Sequence, residues 1–266
     1  MKTIAEMLSM QGRVAAITGG AGHIGRVFAE TLASLGCEIC LLDVAGDKAQ
    51  TEAAKLGSEF GVRATAFAAD LASESAVAAA AKHIENENGR LDVLINNAAY
   101  APNSAAKDGK AIEEQTLAQW DPNVAVALRG TFLATRALAP LLRKSEHASI
   151  INIASIYGVA GADMRLYDDS DMTNPAWYAA AKGGIVQLTR YCATTLAPGI
   201  RVNCIAPGGI WRGQPESFVR RYNERTPLGR MATEDDLRGA LVYLASDLSA
   251  YVTGQVLMVD GGWTAW

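Results

Sequence analysis

Arg13-Val14-Ala15-Ala16-Ile17-Thr18-Gly19-Gly20-Ala21-Gly22-His23-Ile24-Gly25 reads as an apolar strand, a glycine-rich turn and the start of a helix. Backbone N–H groups at a helix N-terminus, with the helix dipole behind them, form an anion site. Glycines keep side chains out of the way of an approaching pyrophosphate. The next apolar run closes at Asp43, eighteen residues past Gly25. A carboxylate there can accept hydrogen bonds from both ribose hydroxyls of an adenosine. It would also repel a 2′-phosphate, at a cost on the order of 4 kcal/mol for like charges about 4 Å apart at an effective dielectric near 20. The stretch therefore points to a dinucleotide site that takes NAD rather than NADP.

Outward from this unit the same rhythm repeats. Apolar runs at 13–17, 38–42, 64–68, 93–95, 149–153, 201–205 and 256–259 alternate with helical periodicity at 24–35, 49–60, 75–87, 117–143, 176–196 and 234–245. Continuous apolar strands between helices predict a parallel sheet covered on both faces. The expected class is α/β, a Rossmann-type, doubly wound, parallel seven-stranded sheet with helices on both faces. No linker or repeat divides the chain, so residues 1–266 are expected to form a single catalytic domain. Three polar stretches interrupt the rhythm, near 98–115, 156–174 and 207–227, each after a strand, where ligands bind in open α/β sheets.

Composition narrows the function. With 24 Lys+Arg, 28 Asp+Glu and a net charge of −4, there is no basic block for nucleic acid. No run of about 18 apolar residues predicts a membrane span, and the N-terminus lacks the apolar core of a secretory signal. Cys37, Cys40, Cys192 and Cys204 read as free thiols in a reducing compartment, so a cytoplasmic protein is expected. Cys37 and Cys40 are three apart on a strand and should face opposite sides, against a metal or redox pair. Asp169-x-Asp171-x-Thr173 lacks the glycine and glutamate of a calcium loop, and no metal is expected.

Tyr178 and Lys182 are spaced i, i+4 and share a helix face. A fixed ammonium about 5 Å away, at an effective dielectric of about 20, would favour the phenolate by roughly 3 kcal/mol. Tyr178 then becomes a workable acid/base near neutral pH.

Taken together, Thr18–Gly25, Asp43, Asp70-Leu71, Asn96-Asn97-Ala98-Ala99, Ser155, Tyr178 with Lys182, the run from Asn203 to Gly208, and Asp260-Gly261-Gly262 resemble the short-chain dehydrogenase/reductase family over essentially the whole chain. The resemblance implies catalysis by Ser155, Tyr178 and Lys182. It implies cofactor contacts from Gly19, Gly22, His23, Ile24, Gly25, Asp43, Asp70, Leu71, Asn97, Ala98, Ala99, Tyr178, Lys182, Pro207, Gly208 and Ile210. Asp70 and Leu71 would meet the adenine, Lys182 the nicotinamide ribose, and Pro207, Gly208 and Ile210 the nicotinamide. Ser155 and Tyr178 would hold the substrate oxygen, with Trp211 and Arg212 from the lid. The implied reaction is NAD-dependent interconversion of a secondary alcohol and a ketone. The 207–227 stretch, which looks like the family's substrate lid, together with residues 172–175 and the 262–266 end, resembles a bacterial sugar- and polysaccharide-related subgroup, which favours a sugar, sugar acid or polyol. A homotetramer or homodimer is implied. An NADPH-dependent carbonyl or acyl-thioester reductase and a weakly active cofactor-binding regulator stand as alternatives.

Four positions depart from the family pattern. His23 replaces a glycine, which requires negative φ there. Ala99 replaces another. Ala127 stands where many members carry an asparagine that helps hold a proton-relay water. Between Ser155 and Tyr178 the chain is longer than usual, the extra residues falling at about 163–175 and expected to lie over the substrate pocket.

Overall fold

A computed structural model describes residues 2–100, 111–170 and 172–266. Seven strands, β1 (Val14–Thr18), β2 (Glu38–Asp43), β3 (Ala64–Ala68), β4 (Val93–Asn96), β5 (Ser149–Ile153), β6 (Arg201–Pro207) and β7 (Val256–Val259), form one sheet. Its order is β3-β2-β1-β4-β5-β6-β7 and every pairing is parallel. The order reverses between β1 and β4, which opens a crevice at the carboxyl edge.

Parallel pairing demands crossovers, and the helices supply them on both faces. Helix α1 (Ile4–Leu8) precedes the sheet. Helices α2 (His23–Ala33), α3 (Gly46–Phe60) and α9 (Arg238–Ala245) bury Phe28, Leu32, Leu56, Leu241 and Leu244 against one face, with Ala15 and Ile17 of β1. Helices α4 (Glu74–Asn88), α6 (Gly130–Leu142) and α7 (Ala176–Leu196) bury Ile84, Leu133, Leu138 and Cys192 against the other, with Val14 and Ala16. Successive β1 side chains thus feed two cores, which is why the strand reads as a continuous apolar run. The expected doubly wound, seven-stranded class is the observed one.

Cys37 belongs to the first core and Cys40 to the second, as their spacing predicted. All four cysteines are buried and free, and burial pushes the Cys40 and Cys204 thiols up to about 11.

Three expectations need correction. Residues 117–143 are not one regular helix: α5 (Leu117–Val124) passes through a π-helical turn, Ala125–Arg129, into α6. Residues 207–227 are not all loop, because α8 (Glu216–Arg225) lies within them. The short α1 carries no core periodicity and had no counterpart in the strand–helix alternation. Part of the 98–115 segment, and Asp171, lie outside the described residues. The continuous helical stretch Leu117–Leu142, with mean hydropathy 1.3, is long and apolar enough by those measures alone to cross a membrane. Its apolar face, Leu133, Ala134, Leu138, Leu141 and Leu142, is instead packed in the second core.

Candidate active site

The strand ends bring the sequence motifs to one edge. Thr18 closes β1, and its hydroxyl donates to the Ile95 carbonyl at 3.3 Å. The same oxygen accepts the N–H groups of Asn97 and Ala98 at 3.0 and 3.1 Å. Asn97 Nδ2 returns to the carbonyls of Thr18 and Gly19 at 3.1 and 3.2 Å. One threonine and one asparagine therefore pin the glycine turn to the end of β4.

The turn needs its glycines. Gly19 has φ +62°, and a Cβ there would lie 2.9 Å from the Ala98 backbone. A Cβ at Gly25 would lie 2.2 Å from the Gly19 carbonyl oxygen. Gly22 caps α2 without any side-chain hydrogen bond, so the first-turn donors of α2 stay open. His23 is exposed at the first position of α2, in ordinary helical backbone, so the missing glycine costs nothing there. Ile24 is half-buried against the first core.

Asp43 reaches from β2 to this turn. Its Oδ2 accepts the Ala21 N–H and its Oδ1 the Ala45 N–H, both at 2.9 Å. Asp70 is exposed, with Oδ1 accepting the Ala72 N–H at 2.9 Å, while Leu71 is buried beside Gly130. Ala99 is exposed and Ala98 half-buried. On the other side, Pro207 is buried at the end of β6 and the Gly208 N–H donates to Val259 at 2.9 Å. Ile210 packs on the first core and bridges to Ala232. These surfaces fit a dinucleotide: a glycine cradle that a Cβ would fill, open donors for the pyrophosphate and a carboxylate where a ribose would lie.

Ser155 lies just past β5 and caps a 3-10 turn, Ile156–Gly158, its Oγ accepting the Tyr157 N–H at 3.2 Å. Tyr178 is in the first turn of α7. Burial pushes its phenol above the ordinary range, a hydrogen bond from the Ser155 side chain lowers it, Tyr167 raises it and Arg212 lowers it. Lys182 is 5% exposed. Its Nζ donates to the Ile153 carbonyl at 2.8 Å and sits 5.8 Å from the centre of the Tyr178 ring. Burial pulls this ammonium down to about 8. The expected acidification of Tyr178 by Lys182 is not what acts here: burial of the phenol dominates, and the lowering influences are Ser155 and Arg212. One of the three ammonium protons is used by Ile153, which leaves donors for a ligand.

A buried chain of polar side chains positions α7. Asn96 Nδ2 donates to Thr135 Oγ1 at 3.1 Å and to Asn152 Oδ1 at 2.8 Å, and Asn152 Nδ2 donates to Thr189 Oγ1 at 2.8 Å. Ala127 lies buried inside the π turn, its carbonyl accepting the Thr131 hydroxyl at 2.7 Å. Asn123, one turn earlier, donates to Gln119 at 2.6 Å.

The 207–227 stretch places Trp211 and Arg212 near the mouth of the crevice. Trp211 is exposed, and Arg212 pairs with Glu234 at 3.2 Å while acting on Tyr178 through its charge. The insertion is fastened rather than merely solvated. A second 3-10 turn, Met164–Tyr167, packs Leu166 and Tyr167 against Phe218, Tyr222 and Trp263. Arg221 holds the Asp168 carbonyl and the Asp169 carboxylate, the latter at 2.6 Å. Tyr157, Tyr167 and Asn174 carried no family motif; the signal for Tyr157 and Asn174 was position, two residues after Ser155 and four before Tyr178, and Tyr167 had only its place in the insertion.

Comparison with known proteins agrees with this geometry. A family profile described as Enoyl-(Acyl carrier protein) reductase matches residues 19–264. A 3-oxoacyl-[acyl-carrier-protein] reductase from Aquifex aeolicus (strain VF5) is 31% identical over 260 residues, covering 96% of this chain and 98% of the relative. A short chain dehydrogenase from Leptospira borgpetersenii serovar Hardjo-bovis (strain JB197), solved with NAD+, superposes with a TM-score of 0.83 and 35% identity, over 99% of this chain and 96% of the other. A gluconate 5-dehydrogenase from Burkholderia cenocepacia J2315, in complex with NADP and tartrate, gives a TM-score of 0.88 and 31% identity, over 99% and 100%.

Proposed function

The chain belongs to the short-chain dehydrogenase/reductase family, and from that premise we propose that it is an NAD-dependent dehydrogenase that interconverts a secondary alcohol and a ketone, with a polyol, sugar or sugar acid as substrate. The observation that carries this reading is the buried ammonium of Lys182, anchored on the Ile153 carbonyl and 5.8 Å from the centre of the Tyr178 ring, at the crevice edge that also holds Ser155 and the glycine cradle.

The dinucleotide, when bound, accepts or returns the hydride. Gly19, Gly22, His23, Ile24 and Gly25 would hold its pyrophosphate end through the α2 backbone, and Asp43 its adenosine ribose. Asp70, Leu71, Asn97, Ala98 and Ala99 would line its path, and Pro207, Gly208 and Ile210 would flank its nicotinamide. Ser155 holds the substrate oxygen by hydrogen bonding. Tyr178 Oη gives its proton to the substrate oxygen in reduction and, as the phenolate, takes the proton of the substrate hydroxyl in oxidation. Lys182 keeps a positive charge beside that oxygen and offers its spare N–H donors to the nicotinamide ribose. Trp211 and Arg212 would cover the substrate from the lid.

Asp43 supports NAD, since a 2′-phosphate would meet its carboxylate at a cost on the order of 4 kcal/mol. A gluconate enzyme among the relatives supports a hydroxyl-rich substrate. The family profile's name supports a second reading, an NADPH-dependent acyl-thioester reductase. A panel of polyols, sugars and simple alcohols with the oxidised forms of NAD and NADP, beside a 3-oxoacyl thioester with their reduced forms, all followed at the absorbance of the reduced nicotinamide, separates the two. In Tyr178→Phe, turnover should fall by about 10²–10⁴-fold while NAD still binds; a rate near wild type would defeat the mechanism. The whole chain would act as one catalytic unit in the cytoplasm, as a homotetramer or homodimer. Light scattering that finds only monomer at micromolar concentration would remove the assembly from this reading.

A further inference from the structure

Three side chains beside Tyr178 form a short hydrogen-bonded chain with two loose ends. Tyr157 follows Ser155 by two residues, its ring edge-on to Trp263 at 5.7 Å. Tyr167 donates its O–H to Tyr157 Oη at 3.1 Å. Asn174 Nδ2 donates to Tyr167 Oη at 3.4 Å.

Each phenol has a single proton. The Tyr167 proton goes to Tyr157, so among the described residues the Tyr157 O–H finds no acceptor. At the other end Asn174 Oδ1 is buried with no partner, as is the neighbouring Thr173 Oγ1. Reversing the sense of the whole chain changes nothing essential: one end then holds a spare amide donor and the other a spare phenol acceptor. A network whose purpose was only to fasten the insertion would close both ends, because buried unpaired groups are costly. The insertion is already fastened by Arg221 on Asp168 and Asp169 and by the aromatic packing on α8.

The chain lies beside the reaction centre, because Tyr157 follows Ser155 by two residues in the turn that Ser155 caps and Asn174 precedes Tyr178 by four. Tyr167 acts electrostatically on Tyr178, and Tyr178 on Tyr157. Burial keeps the Tyr157 phenol protonated, hence a donor.

We infer that Tyr157 and Asn174 are specificity residues that bind a second hydroxyl of the substrate, next to the carbinol held by Ser155 and Tyr178. An alcohol hydroxyl both donates and accepts, and so answers a spare donor and a spare acceptor; a methylene answers neither. The ligand class is a vicinal diol or longer polyol, or a sugar with the same pair. This deepens the proposed dehydrogenase function and rests on it.

The test compares kcat/KM for a linear four-carbon polyol with that for cyclohexanol, with NAD, in the wild-type enzyme and in Tyr157→Phe and Asn174→Ala. The expected result is that the polyol-to-cyclohexanol ratio falls at least about tenfold in each variant, mainly through KM for the polyol. An unchanged ratio, including an equal loss on both alcohols, overturns the inference. Tyr157→Phe removes one oxygen and keeps the ring on Trp263, so it decides the matter even if Asn174→Ala misfolds. A wild-type enzyme that oxidises cyclohexanol but refuses polyols overturns the inference alone. One that oxidises neither, with either dinucleotide, removes the parent reading and this inference with it.

Discussion

Lys182 brings an ammonium into a site where one carbonyl, that of Ile153, is its hydrogen-bond acceptor. Burial is what lowers it from 10.5 to about 8. Below pH 8 the folded and unfolded states both hold this proton, and the fold bears the whole cost of the buried charge. Between about 8 and 10.5 the folded state releases it first, so stability rises with pH across that window. Lys182→Met should therefore be more stable than wild type at pH 7, by roughly 2 kcal/mol after allowing for the orphaned Ile153 carbonyl. The gap should narrow toward pH 10, and activity should be lost. Urea unfolding at the two pH values checks this; a variant less stable at pH 7 would mean the ammonium is better solvated than its burial implies. The sequence spacing predicted the partnership of Tyr178 and Lys182 but not its electrostatic balance, because i, i+4 geometry says nothing of how deep both groups lie. Asp43 was equally legible, as a carboxylate ending a strand. Asp43→Ser removes the charge that opposes a 2′-phosphate, so the ratio of NADP to NAD dissociation constants should fall by about tenfold or more, a ratio titration calorimetry measures directly.

At the level of elements, the strand–turn–helix unit was readable because each of its features has one physical cause. Buried strands are apolar throughout, and the turn is glycine where backbone meets backbone. Gly25→Ala tests the tightest contact. A methyl 2.2 Å from the Gly19 carbonyl must push the turn away from the end of β4. Dinucleotide binding should weaken by at least about tenfold, while circular dichroism still reports a folded protein; unchanged binding would show that the turn has room to move. The elements that escaped the sequence reading are those whose periodicity is weak. Helix α8 is dominated by Glu216, Arg220, Arg221, Glu224 and Arg225, with Phe218 and Tyr222 as its buried residues. Two aromatic residues four apart are enough once Trp263 and the insertion are there to receive them, and sequence alone does not show the receivers. The π turn at Ala125–Arg129 was hidden for the opposite reason: its residues have ordinary helical character, and one extra residue per turn leaves no compositional mark.

Across the molecule, the carboxyl edge of the sheet gathers the candidate site residues and the opposite edge is tied by charge. Asp247, in the 3-10 turn after α9, accepts from Lys2 at 3.0 Å, from Arg13 ahead of β1 at 2.8 Å, and pairs with His147 ahead of β5 at 2.9 Å. All three partners lie about 100 residues or more from Asp247 along the chain, so no local pattern could have announced them. Burial pushes the Asp247 carboxyl up, but the hydrogen bonds from Lys2 and Arg13 and the charges of Arg13 and His147 outweigh it and hold it at about 2. A folded-state value below the unfolded 3.8 means the stabilisation is complete above about pH 4 and is lost as pH falls toward 2. Its size is roughly 2 kcal/mol. Asp247→Asn should lower stability at pH 7 by about that amount and flatten the fall in stability between pH 4 and 2, because the titrating group is gone. The substitution lies at the amino ends of the strands, away from the crevice, so the dissociation constant for NAD at pH 7 should stay within about threefold of wild type. Thermal unfolding from pH 2 to 7 with a parallel binding titration separates the two effects. An acid limb as steep in Asp247→Asn as in wild type would place the pH sensitivity elsewhere, and a large loss of NAD affinity would show that the two edges of the sheet are coupled through the strands rather than independent.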